Sequence, residues 1–160
     1  MSTMTEPGVG YSVTIDRIFA APRALVFDCM TRAEHLTRWW GPRGFTSPEC
    51  ASDARPGGAI KLDMHGPEPY GINAVRGEFL EVERPARLVF VLRAFPGDDG
   101  SWGIEHVTTM VFTDAPDGTA MHMTTVVQQA SEALIPALRG MQEGWSQSFD
   151  KLAELLETLA

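Results

Sequence analysis

Toward the C-terminal end, Leu134, Leu138, Met141, Trp145, Phe149, Leu152, Leu156 and Leu159 recur at steps of three and four residues. That spacing places them on one stripe of an α-helix, so a long amphipathic helix is expected over roughly 133–159. Arg139, Glu143, Gln147, Asp150, Glu154 and Glu157 fall on the opposite arc. One face is therefore wet and the other packs on something large. Pro136 lacks an N–H and its ring clashes with the preceding turn, so the helix either starts late or holds Pro136 in its first turns. Gly140 and Gly144, with Ala137 and Ser148, line one edge of the stripe, and each glycine costs about 1 kcal/mol relative to alanine. The room they leave serves either close approach of the sheet backbone or a bound molecule.

Upstream the period changes. Val13, Ile15, Arg17 and Phe19 alternate with Ser12, Thr14, Asp16 and Ile18, the mark of a half-buried strand. Pro22 suits the opening of a short helix carrying Val26, Phe27 and Met30 inward. Thr31 to Glu34 has capping-box spacing, which predicts a second short helix with Ala33, Leu36 and Trp39 or Trp40 on its apolar side. Gly41-Pro42 ends it. From Phe45 to about Gln128 the chain reads as about six strands, with turn chemistry at Asp53 to Gly58, Gly66 to Gly71, Glu83 to Pro85, Pro96 to Gly100 and Asp114 to Gly118. The expected class is α+β: a curved antiparallel sheet of about seven strands, two short helices after the first strand, and a long C-terminal helix that the sheet wraps.

Composition narrows the partners. A length of 160 residues suits one domain, assigned to 11–160 after a flexible segment over 1–10. With 44% apolar and 21% charged residues the chain is an ordinary folded domain. Thirteen basic residues against twenty-one acidic give a net charge of −8, which repels a phosphate backbone, so neither nucleic acid nor an anionic membrane is an expected partner. No stretch is long and apolar enough to insert in a membrane. Met1 to Gly10 has no basic start followed by an apolar run, so the expected location is cytoplasmic. Cys29 and Cys50 are read as reduced and structural; a monomer or homodimer is expected.

The chemistry the residues offer is that of a pocket. A sheet bent around a helix leaves space toward the short helices, and such sites are large and apolar with few polar groups. Met64, Met110, Met121, Met123 and Met141 fall on faces assigned inward, and methionine adapts to irregular shapes. Of Trp39 and Trp40, one packs into the core and the other rims the entrance or covers the following loop, whose Phe45 is also apolar. His106 shares an inward face with Thr108, Met110 and Phe112 unless a bulge turns it outward. Glu105 and Arg93 are taken for surface residues. The candidate ligand-binding set is Trp39, Trp40, Phe45, Met64, His106, Met110, Phe112, Met121, Met123, Met141, Gly144 and Trp145, with the space beside Ala137, Gly140, Gly144 and Ser148 and opposite Met121 and Met123. No nucleophile with an adjacent base is evident. The four histidines lack metal-ligand spacing, so no catalytic residue, metal or cofactor is assigned. Asp53 to Gly58 reads as a hairpin turn with an Asp/Arg clasp, not a phosphate loop.

Several motifs together resemble a known family. They are Ala21-Pro22 with Val26-Phe27, Trp39-Trp40-Gly41-Pro42 with Gly44-Phe45, Asp53-x-Arg55-Pro56-Gly57-Gly58, Pro85 with Arg87-Leu88-Val89, and Gly144-Trp145 leading to Leu152 and Leu156. In these the chain is similar to the domain family named after the activator of heat-shock protein 90 ATPase, within the START-like, Bet v 1-like (SRPBCC) superfamily. The resemblance implies a helix-grip fold, a cavity between sheet and C-terminal helix, binding of apolar molecules, and no fixed catalytic residue. It also implies that the chain lacks room for the additional N-terminal domain of the eukaryotic co-chaperone. Glu68-Pro69 and Ile60 depart from the family's pattern, so a differently shaped cavity is expected. Three functions follow in order: a non-enzymatic binder of an apolar small molecule, an enzyme of cyclase or hydrolase type with His106 as acid or base, and an interaction module for a chaperone ATPase. Fold alone selects none of them.

Overall fold

The computed structural model describes residues 9–69 and 71–159. The flexible segment expected over 1–10 lies outside the described residues but for its last two. Strand β1 (Ser12–Phe19) leads to helices α1 (Arg23–Thr31) and α2 (Ala33–Trp39). Then come β2 (Cys50–Ser52), β3 (Ala59–Leu62), β4 (Met64–His65), β5 (Ile72–Asn73), β6 (Val75–Glu83), β7 (Arg87–Pro96), β8 (Trp102–Ala115) and β9 (Gly118–Ala130). A 3-10 turn (Glu132–Leu134) and a short helix α3 (Ile135–Leu138) precede the long helix α4 (Met141–Leu159). Seven strands form one sheet in the order β1-β9-β8-β7-β6-β3-β2, and β4 pairs with β5 apart from it. All the pairs are antiparallel.

This is the helix-grip α+β architecture. Trp145, Ser148, Phe149, Leu152, Leu155 and Leu156 of α4 are buried, the consequence of an apolar stripe laid on a sheet. Beneath them lie Val13 and Phe19 of β1, Leu88, Phe90 and Leu92 of β7, Met110 and Phe112 of β8, and Met121 and Met123 of β9. Polar clamps fix the helix in place. Arg17 of β1 pairs with Asp150 and donates to the Ser146 carbonyl at 3.2 Å. Lys151 Nζ donates to the carbonyls of Gly41 and Phe45 at 3.0 and 3.2 Å, and Arg43 pairs with Glu154.

Four local readings are corrected. Of the two placements open for Pro136 the late start holds: the long helix begins at Met141, and Pro136 sits in the first turn of the separate α3; Leu138 there is buried with Ile104 and Val127 in a small satellite core. Gly140 accordingly lies between helices, and it and Ala137 are exposed, so neither lines a pocket. Thr31 is no N-cap: it is the last residue of α1, and its hydroxyl donates back to the Phe27 carbonyl at 3.0 Å. An extended Arg32 joins the helices, its carbonyl accepting from His35 and Leu36. The strand expected to run through Ile60, Leu62 and Met64 breaks at Asp63, a buried carboxylate that accepts from the Val75 N–H at 3.2 Å and pairs with Arg76. Finally, Arg93 is only partly exposed: it joins Glu78 at 3.0 Å to Glu105 at 2.7 Å across β6, β7 and β8.

Candidate functional site

Between the first two turns of α4 and the middle of the sheet lies a pocket of about 160 Å³. It is lined by Met141, Gly144, Trp145 and Ser148 of α4, by Trp40, Gly41 and Pro42 after α2, by Met64, and by Val75, Leu92, Ala94 and His106 of β6, β7 and β8. The helix makes this room itself. A Cβ built on Gly144 would meet nothing within 4 Å, so the glycine does not permit a close backbone approach; it widens the pocket. Ser148, one turn on, turns its hydroxyl back to the Gly144 carbonyl at 3.0 Å, as serine does inside helices.

An aromatic wall closes one side. Trp145 stacks on Phe149 at 5.5 Å between ring centroids, and Trp40 meets Trp145 edge-on at 5.3 Å. Trp39 faces Trp40 at 5.6 Å but belongs to the core, fully buried, its indole N–H donated to the Cys29 carbonyl at 2.8 Å. The two successive indoles therefore divide, Trp39 into the core and Trp40 onto the pocket. The indole nitrogen of Trp40 is the one buried side-chain N or O atom without a hydrogen-bond partner among the described residues.

His106 supplies the polar floor. The pairing of β8 with β9 shifts register between Glu105 and His106, leaving Gln128 as the extra residue on β9, so the bulge sits on the neighbouring strand and His106 keeps its inward direction. Its Nδ1 lies 3.0 Å from Thr125 Oγ1, which accepts from Thr108 Oγ1 at 2.8 Å. Burial pushes the imidazole pKa down from 6.5 to about 4, against a smaller opposing pull from Glu105. The ring is neutral at neutral pH. Lys151, behind Gly41, also has its pKa lowered, chiefly by burial and then by Arg43.

Of the twelve residues singled out in the sequence, Trp40, Met64, His106, Met141, Gly144 and Trp145 surround this pocket. The others do not reach it. Met110, Phe112, Met121 and Met123 are buried in the packed core with Trp39, because α1 packs against β8 and β9, Phe27 meeting Phe112 edge-on at 5.9 Å, while β1 packs against α4, where Phe19 meets Phe149 at 6.2 Å. Phe45 lies against Gly66, whose missing side chain leaves room for its ring. The pocket faces β6, β7 and β8 rather than Met121 and Met123. Leu92 was missed because the uninterrupted apolar run Leu88 to Leu92 hides which residues point inward, and no pattern singled out Val75 or Ala94.

Elsewhere the chemistry is sparse. A wider hollow of about 320 Å³ on the outward face of β1, β8 and β9 carries the exposed pair Asp16 and His122, 2.7 Å apart. Cys29 is buried and its thiol is pushed up to about 11 by desolvation, then by Asp28, which leaves it unreactive. Among the described residues no three His, Cys, Asp or Glu side chains are grouped to hold a metal ion, and no helix is long and apolar enough to cross a membrane.

Comparison with known proteins agrees with the geometry. A family profile described as Activator of Hsp90 ATPase homolog 1-like protein matches residues 20–157. Among solved structures, protein CV1439 from Chromobacterium violaceum is 23% identical with a TM-score of 0.76, the alignment covering 91% of this chain and 97% of that one. The AHSA1 protein from Silicibacter pomeroyi is 23% identical with a TM-score of 0.74, covering 93% and 99%. A protein from Arthrobacter aurescens, 20% identical, reaches 0.79 over 92% of this chain and 86% of that one. At these identities the likeness is one of fold. No curated protein matches.

Proposed function

Since the chain belongs to the Activator of Hsp90 ATPase homolog 1-like family, we propose that it is a non-enzymatic binder of a small apolar molecule, held between the sheet and the N-terminal turns of α4. The observation that carries this reading is Gly144. It stands in the interior of the long helix, where glycine costs about 1 kcal/mol relative to alanine, with empty space rather than backbone opposite it. Open space beside a helix, walled by indoles, methionines and aliphatic side chains, is what an apolar ligand needs.

Size limits the occupant. The pocket's volume of about 160 Å³ is near the roughly 150 Å³ of an apolar cavity that admits benzene, and below the roughly 300–1,000 Å³ of drug-sized sites. A single ring or a short chain fits; a polyketide or sterol does not. His106 supports a binding role over acid–base catalysis. Its ring is flanked by threonines rather than by an orienting carboxylate, and its lowered basicity weakens it as a base near neutral pH.

Native mass spectrometry of the purified protein tests the proposal. The expected result is one small molecule retained by the native chain, or taken up when a cyclic hydrocarbon is added, and lost in Gly144→Leu, whose side chain occupies the space. Absence of any retained or added molecule in the native chain would overturn it.

A further inference from the structure

The polar atoms around the pocket define what its occupant must carry. Thr108 donates to Thr125 Oγ1 at 2.8 Å. A hydroxyl has one proton to give, and the acceptor left for that of Thr125 is Nδ1 of His106, 3.0 Å away. Nδ1 thus accepts, and a neutral imidazole whose Nδ1 accepts carries its proton on Nε2. Nε2 has no partner among the described residues. It is not sealed in protein either, since the indole nitrogen of Trp40 is the one buried side-chain N or O atom there without a partner. The ring lines the pocket, so that N–H is open to the pocket.

The neighbouring polar groups are committed or sealed: the indole N–H of Trp40 has no partner, but it is buried in protein. Ser148 gives its proton to the Gly144 carbonyl, and the Gly41 carbonyl accepts from Lys151. No carboxylate, ammonium or guanidinium is among the lining residues, so a charged ligand would enter without a counter-charge, at heavy cost in apolar surroundings. What remains open to the pocket is a single N–H donor in an apolar box. A carbonyl matches it, because it brings acceptor capacity and no proton of its own to place.

Resting on the reading of this pocket as a binding site, we propose that the ligand is a small neutral carbonyl compound. Its oxygen accepts from His106 Nε2, and its apolar body lies against Val75, Leu92, Met64, Met141 and Trp145.

The test is a matched pair of probes, cyclohexanone and methylenecyclohexane, which share ring size and differ in an oxygen against a CH₂ group. Each is titrated into the 15N-labelled full chain and followed by NMR. The ketone is expected to bind roughly three- to tenfold tighter, the worth of one net hydrogen bond, and to move the Nε2 resonance of His106. In His106→Phe both probes are expected to bind with equal affinity. Equal affinities in the native chain would overturn the carbonyl assignment while leaving an apolar binding site. Failure of both probes to bind would overturn the binding reading as well. If His106→Phe does not fold, the native pair and the ring's 15N shifts decide, and a proton on Nδ1 would overturn the inference.

Discussion

Gly144 lies inside α4 yet contributes no side chain to the stripe on which the fold depends. Replacing it by alanine removes the backbone-entropy penalty and places a methyl group where nothing lies within 4 Å. Gly144→Ala is therefore expected to raise stability by about 0.5–1 kcal/mol, seen as a higher urea midpoint with an unchanged slope; a destabilised variant would mean that the position is tighter than it looks. A chain that keeps glycine here gives up stability for room. At this scale the sequence was informative wherever helical spacing alone decides a residue's direction. Gly144, Trp145 and Met141 follow from three- and four-residue steps. The methionines of β8 and β9 did not, because strand alternation tells which side of a sheet a residue faces, not which part of the helix lies above it.

The elements meet the expectations in kind and depart from them at their ends. Leu152 is fully buried in the middle of α4, where the helix sits tight on the sheet, so Leu152→Ala is expected to cost about 2–5 kcal/mol, measured by chemical denaturation. The same pattern continues through Leu134 and Leu138, and periodicity cannot distinguish one long helix from two helices broken at an exposed glycine. Arg139 and Gly140 make that break, and Leu138 turns to a separate cluster with Ile104 and Val127. Thr31 and Glu34 show the same limit. Capping-box spacing is identical whether the threonine opens a helix or closes the preceding one, and the hydroxyl's bond to Phe27 decides for the latter. Asp63 interrupts a strand that looked continuous because a carboxylate can stand in for a ladder carbonyl toward the Val75 N–H, an exchange made across sequence and invisible along it.

For the molecule as a whole, the buried imidazole couples folding to pH. His106 is held near 4 in the folded state against 6.5 ordinarily, so between those values the unfolded chain takes up a proton that the folded one refuses. Stability is therefore unaffected above pH 6.5 and falls as pH drops toward 4, by about 3 kcal/mol in all. The carboxylates of Asp28 and Glu78, held down first by hydrogen bonds from Arg84 and Arg93, act in a more acid range. Urea denaturation at pH 7, 5.5 and 4.5 is expected to show this fall in the native chain and a shallower one in His106→Phe; parallel curves would place the ring outside the buried environment described. The sheet's strand order carries a different consequence. Ser12 to Phe19 pairs along its whole length with Thr119 to Val126, so the first strand has no sheet neighbour until about a hundred further residues exist. Such remote pairing makes folding slow. During synthesis, Val13, Ile15 and Phe19 must leave the ribosome without a partner strand, and nearly the whole domain has been translated before one arrives.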